Sequence, residues 1–140
     1  MSASLALLEQ GGAVNIATAA QYLPNAHLQI LAIRNDEIVG VDAIKRTRSD
    51  YATKTSYFSG HHIDPAMAEV GYVAVSLEHR GRHLLSRIAA ALLARTGAAM
   101  FATTDKEKMK AVLGKNGFER CGRQWDGETV YLSLWIRRQQ

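Results

Sequence analysis

The stretch "VAVSLEHRGRHLLSRI", residues 73–88, decides how this chain is read. Its apolar start, Val73-Ala74-Val75, has strand character, and its end from Leu84 has the apolar spacing of a helix. Between them lies one glycine, Gly81, flanked by Arg80, Arg82 and His83. The first turn of a helix leaves N–H groups without acceptors and carries a partial positive charge. Those amides can wrap a phosphate, and Arg80, Arg82, His83 and Arg87 add cationic contacts. Gly81 lets the backbone come close to the anion. A surface turn needs only the glycine; a pyrophosphate site uses all of these features together.

Working outward, "AEVGYVAV" (68–75) reads as a strand buried on both faces. The helix that follows runs from about Leu84 to Thr96, with Leu85, Ile88, Ala89 and Leu92 on one stripe. Upstream, "HLQILAI" (27–33) and "IVGVDAIK" (38–45) form a hairpin across the turn-rich "RNDE". Residues 4–22 read as one or two short helices interrupted at Gly11-Gly12, ending before Pro24. The polar stretch 46–66, "RTRSDYATKTSYFSGHHIDPA", reads as an irregular, substrate-facing loop.

Downstream, "AAMFAT" (98–103) is a second buried strand. Thr104 and Glu107 have capping-box spacing before a helix with Met109, Val112 and Leu113 on one face. Gly117 is a natural left-handed stop for it. "ETVYLSLWIR" (128–137) alternates as a strand should. The order helix, hairpin, strand, helix, strand, helix, strand or strands predicts an α/β (α+β) domain, a mixed central sheet flanked by helices, over residues 1–140.

With 140 residues, 47% of them hydrophobic and 21% charged, the composition is that of an ordinary globular protein. No apolar run approaches the roughly 18 residues of a membrane helix. The N-terminal stretch lacks a basic leader, so a secretory signal is not expected. The single cysteine, Cys121, points to a reducing cytoplasm. A net charge of +4 favours anionic partners such as phosphorylated cofactors, nucleotides or nucleic acid.

The segment "VAVSLEHRGRHLLSRI" resembles the acyl-CoA-binding signature of the GNAT superfamily of N-acetyltransferases. That signature is a strand ending in Val, a short linker, Arg-Gly-x-Gly-x-Gly/Ala, then a helix. Val75 ends the strand, and Arg80-Gly81-Arg82 opens the pyrophosphate loop. His83 stands where the family has its second glycine, and Leu85 where it has glycine or alanine. "ILAIRNDEIVGVDAIKR" resembles the family's hairpin, and "FATTDKEKMKAVLGKNGFERCG" its later strand, helix and Gly-Phe segment. The "FATT" and "LWIR" segments resemble a bacterial and phage branch. The likeness spans roughly residues 28–137.

The resemblance implies acetyl transfer from acetyl-CoA, a cosubstrate, to a primary amine. It implies a β-bulge in the strand before the loop, and a pair of strands splayed apart to form the acyl-CoA site. The backbone groups of Val73, Ala74 and Val75 would hold the pantetheine arm and the thioester carbonyl. Arg80, Gly81, Arg82, His83, Leu84, Leu85 and Ser86 would hold the pyrophosphate. Glu69 occupies the family's position for a general base. The family's acidic tyrosine maps to Leu113, which has no proton to give. Tyr131, Tyr72, Cys121 or water are the substitutes, with Tyr131 taken as the catalytic candidate.

Three readings of function stay open. The first is an N-acetyltransferase, including one acting on a nucleic-acid-linked amine such as an aminoacyl-tRNA or a modified base. The second is a noncatalytic acyl-CoA-binding domain. The third is a small basic module in which Arg80, Arg82, Arg87 and Arg95 contact phosphates. "KRTRSD" (45–50), with Tyr51, Lys54 and Tyr57, mixes cations and aromatics as a nucleic-acid surface would. His61, His62 and Asp64 lack the further ligands of a metal site, so no metal is expected. Nor is a membrane partner. A homodimer through the apolar last strand is left open.

Overall fold

A computed structural model of the chain describes residues 2–11, 17, 20, 23–81 and 83–140. Among these, six strands hydrogen-bond in the order β1-β2-β3-β4-β6-β5, a mixed sheet with helices in the connections. They are β1 (Leu28–Arg34), β2 (Glu37–Lys45), β3 (Ala68–Val75), β4 (Met100–Thr104), β5 (Glu119–Asp126) and β6 (Tyr131–Arg137). The helices are α1 (Ala3–Gly11), α2 (Ser49–Ser59), α3 (Leu84–Leu93) and α4 (Glu107–Lys115). The expected α/β class is the one observed. Contacts divide the chain into two compact units, Met1–Lys45 with Val70–Thr96, and Arg46–Glu69 with Gly97–Gln140.

In the first unit, β1 and β2 pair antiparallel from Leu28↔Ile44 to Arg34↔Glu37. Asn35 and Asp36 turn the chain at φ 51° and 63°, the two-residue geometry that matches strand twist. Val41 and Ala43 point from β2 into a cluster with Leu7 and Leu8 of α1, Leu23, Tyr72 and Ala74. Helix α3 packs on β1 and β2 and buries Ile88, Ala89, Leu92 and Leu93, close to the stripe its spacing predicts. The expected N-terminal helices are met by α1; much of 12–22 lies outside the described residues.

In the second unit, β4 pairs parallel with the start of β3 at Ala68↔Met100 and Glu69↔Phe101. On its other side it pairs antiparallel with β6, from Met100↔Arg137 to Thr104↔Ser133. Strand β5 completes the set against β6, with its register shifted between Cys121 and Trp125.

The stretch 46–66 is not the irregular loop its composition predicts, because Ser49–Ser59 form α2. Its buried positions are Ala52, Thr55 and Ser59, spaced for one helix face but too small and polar to register as an apolar stripe. The Thr53 and Ser56 hydroxyls bond the carbonyls four residues back, which hides their polarity in the helix itself. Helix α2 packs on β5 and β6, and Arg123 of β5 donates to the carbonyls of Tyr57 and Phe58 at its C-terminus. Beside Arg123, Gly122 sits at φ 69°, and a Cβ there would land on the Ser59 carbonyl. Only glycine lets the β5 backbone come this close to the helix end.

Helix α4 also corrects an expectation. Its N-cap is Lys106, with no side-chain cap bond, so Thr104 and Glu107 do not form a capping box. The Thr104 hydroxyl instead accepts from the Lys106 amide at 3.1 Å, two residues before the N-cap and too early to cap the helix. Met109, Val112 and Leu113 are buried as predicted, and the helix stops ahead of Gly117 at φ 88°.

Candidate functional site

Strand β3 is kinked. Tyr72 adopts φ 58° in the middle of the strand, a left-handed conformation that an L-residue with a large side chain takes at a cost of order 1–3 kcal/mol. The ring sits in the first unit's core and beneath the Lys45 ammonium, 3.9 Å from its centroid. The surrounding packing thus holds the backbone in a state it would otherwise leave. Left-handed residues within strands are the mark of β-bulges, which break the ladder and re-aim neighbouring backbone groups. The groups so placed belong to Val73, Ala74 and Val75, the residues expected to hold a pantetheine arm.

The strand then enters a single tight turn over Leu77–His79. The Ser76 hydroxyl and His79 Nδ1 meet at 2.6 Å, and Arg80 Nε reaches back to the Val75 carbonyl at 3.2 Å. Gly81 follows at φ 81° in open space, with nothing within 4 Å of where a Cβ would stand. Arg82 lies outside the described residues. His83, the N-cap of α3, is left-handed at φ 57° and makes no side-chain cap bond. The first-turn amides of Leu84, Leu85 and Ser86 therefore receive no cap from it, and an anion can take that place. Arg80, His83 and Arg87 are exposed around it. His79, Leu84 and Arg87 also border a groove of about 740 Å³ whose apolar wall includes Ile30, Ala32 and Ile88.

Glu69 is buried at 6% exposure on β3, opposite Phe101 of β4. Tyr131 is 56% exposed at the start of β6. Phe101 pairs with Ile136, five residues along β6 from Tyr131, a separation of about 17 Å at strand rise. The structure does not bring Glu69 and Tyr131 together. The phenol that does stand near Glu69 is Tyr51 of α2, its hydroxyl 2.6 Å from Thr103 Oγ1. Burial first, then the Glu69 charge, push this phenol up to about 12. Sequence reading gave Tyr51 to an exposed loop surface because it missed the helix that carries it.

Cys121 is half-buried, and burial with nearby Glu119 pushes its thiol up. His61 and His62 are exposed, and no group of three or more His, Cys, Asp or Glu among the described residues could hold a metal ion. Asp42 was also missed. It is fully buried on β2, its Oδ1 accepts the Ala43 amide at 2.8 Å, and its Oδ2 has no partner. The signal was present: one carboxylate inside the apolar run "IVGVDAIK".

No protein-family model matches the sequence, nor does any curated protein. Solved structures do match its shape. An acetyltransferase of the GNAT family from Streptococcus agalactiae superposes with a TM-score of 0.65 over 90% of this chain and 73% of its own, at 17% identity. The ribosomal-protein-alanine N-acetyltransferase from Brucella melitensis gives 0.64 over 89% and 79%, at 20% identity. The chain has the GNAT fold. An IAA acetyltransferase from Bacillus cereus shares it too, at TM-score 0.63, 94% and 89% coverage and 13% identity. In this chain the left-handed residue Tyr72 lies on β3, and Gly81 follows the turn after that strand.

Proposed function

We propose that this chain is an N-acetyltransferase that uses acetyl-CoA as cosubstrate and a primary amine as acceptor. One observation carries the reading: the left-handed kink at Tyr72 and the uncapped, cation-flanked start of α3 lie on one continuous run of chain. The first re-aims backbone groups as a thioester arm needs; the second suits a pyrophosphate. Val73, Ala74 and Val75 would hold the arm. Arg80, Gly81, Arg82, His83, Leu84, Leu85 and Ser86 would hold the diphosphate.

In the proposed reaction, Glu69 takes a proton from the incoming ammonium, and the neutral nitrogen attacks the thioester carbonyl carbon. A β3 amide donates to the oxyanion; one such fixed donor typically contributes about 3 kcal/mol. The C–S bond then breaks and CoA departs as a thiolate, while the nitrogen, cationic since its attack, sheds its second proton to solvent and the neutral amide leaves. A thiol of pKa about 8.5 is a good enough leaving group for solvent to supply the proton. Tyr131 is not needed for that step. The lone thiol, Cys121, fits a reducing cytoplasm.

A second reading, a noncatalytic acyl-CoA-binding domain, is favoured by one fact: Leu113, where the resemblance places an acidic tyrosine, is fully buried and apolar. The test is purified protein with acetyl-CoA and pooled amines, charged tRNA among them, read by thiol release and mass spectrometry. Amine-dependent thiol release supports the enzyme. CoA that raises the melting temperature without turnover supports the binding domain. Absence of CoA binding at millimolar concentration sinks both.

A further inference from the structure

The strongest unassigned feature is the free edge of β1. Among the described strands β1 pairs with β2 alone and β5 with β6 alone, so these two form the edges of the sheet. An unpaired edge offers its N–H and C=O groups to any strand that meets it, and chains guard such edges with charges and bulges. Strand β5 is guarded: Glu119, Arg120, Arg123 and Asp126 lie on it, and the residues between Cys121 and Trp125 bulge out of register. Strand β1 is not. From Leu28 to Ile33 it carries no charge and no proline, and Leu31 and Ile33 stand 41% and 65% exposed on one face. The register shift of its hairpin skips Val39, on β2, and leaves β1 itself continuous. On the other face of β1, Ile30 and Ala32 border the groove of about 740 Å³ whose wall is the flank of α3 at Ile88, Ala90 and Ala91. An added strand alone would cover the edge and leave that helix flank bare; a second copy of the chain supplies a strand and a helix together.

We propose that this edge docks a second copy: the two β1 strands pair antiparallel about a dyad, and the two α3 helices lie side by side over the seam. A strand paired antiparallel with itself is isologous, as a two-fold dimer requires. Strands in a sheet lie about 4.8 Å apart. Helix α3 packs on both β1 and β2, so it and its mate stand two strand spacings, about 10 Å, apart across the dyad. Helices pack at about that distance, and the exposed Ala90 and Ala91 are small enough to meet there. On the opposite face Leu31 and Ile33 of each copy cover those of the other. With the dyad at Leu31, the middle of the strand, Arg34 stands opposite Leu28 of the second copy. The two Arg34 residues are then about 20 Å apart, beyond the screening length. The last strand, β6, is paired on both sides, with β4 and β5, and has no edge to offer.

Sedimentation of the full chain tests this and needs neither coenzyme nor turnover. A dimer of twice 15.4 kDa is expected at high micromolar concentration. It should tighten as salt rises, because Arg87 lines the groove in each copy and the like charges are screened. Leu31→Lys and Ala90→Arg should each raise the dissociation constant about a hundredfold, while the exposed control Tyr57→Ser leaves it unchanged. In a Cys121→Ser background, Leu31→Cys should join copy to copy through a short bis-maleimide and Tyr57→Cys should not; this arm decides the matter if Leu31→Lys fails to fold. A wild-type chain that stays monomeric overturns the proposal, and so does a dimer that survives both substitutions or does not cross-link at Leu31. A monomer whose groove takes up poly-glutamate, with binding that weakens in salt, would replace the second copy with an acidic partner.

Discussion

The Lys45 ammonium stands 3.9 Å from the centroid of the Tyr72 ring, and it does so at the residue whose backbone bends strand β3. The ring thus anchors the kink. Tyr72→Phe keeps the ring and is expected to change stability little. Tyr72→Ala empties a core position and should cost about 3–5 kcal/mol. Tyr72→Val restores apolar volume yet should be no better than alanine, because a β-branched residue at φ 58° is strained. Urea unfolding of the three variants checks the order; valine clearly above alanine would disprove the anchoring account.

Gly81 isolates backbone strain from crowding. A Cβ there meets nothing within 4 Å, so Gly81→Ala is opposed only by φ 81°. The loop should flip or pay about 1 kcal/mol, which weakens CoA binding roughly fivefold. Gly81→Asn should be milder, since asparagine tolerates the left-handed region. Calorimetric titration with CoA measures both.

Glu69→Gln keeps shape and removes the base. We expect kcat for acetyl transfer to fall by about two orders of magnitude, with CoA affinity unchanged. A matching loss of CoA binding would show Glu69 to be structural.

Asp42 gives a pH signature. Burial pushes its carboxyl from 3.8 up to about 8, against the pull of the Ala43 amide. Between those values the folded chain keeps a proton that the unfolded chain releases. Its contribution is fully favourable below pH 4 and is lost as pH rises toward 8, with a slope of up to about 1.4 kcal/mol per pH unit. Asp42→Asn should flatten this part of the stability profile. Denaturation at pH 5, 6, 7 and 8 tests it; an unchanged slope would place the titration elsewhere.

Arg123→Ala strips the donors from the Tyr57 and Phe58 carbonyls. A loss of about 1 kcal/mol is expected, with faster amide exchange confined to the end of α2.

Most of the fold is legible in the sequence because its elements bury large apolar side chains at regular spacing. Ile88, Ala89 and Leu92 announce α3, and Met109, Val112 and Leu113 announce α4. Helix α2 is silent because its inner face is Ala52, Thr55 and Ser59, and a hydroxyl satisfied by its neighbour looks like loop polarity from the sequence alone. Strand β5 is silent for another reason: of Glu119–Asp126 only Trp125 is buried, and the register shift erases any alternation. The loss carries into the site. The family resemblance names Glu69 and the Arg80–Ser86 loop as candidates, but Tyr51 reaches Thr103 across 52 residues, on a helix with no readable period.

The meeting of Gly122 with the Ser59 carbonyl binds two distant choices into one. Anyone who fills position 122 with a larger residue displaces the end of α2. Anyone who deletes the helix removes the crowding, but φ 69° still favours glycine at position 122. Redesign of the second unit must treat the pair as a single inheritable part.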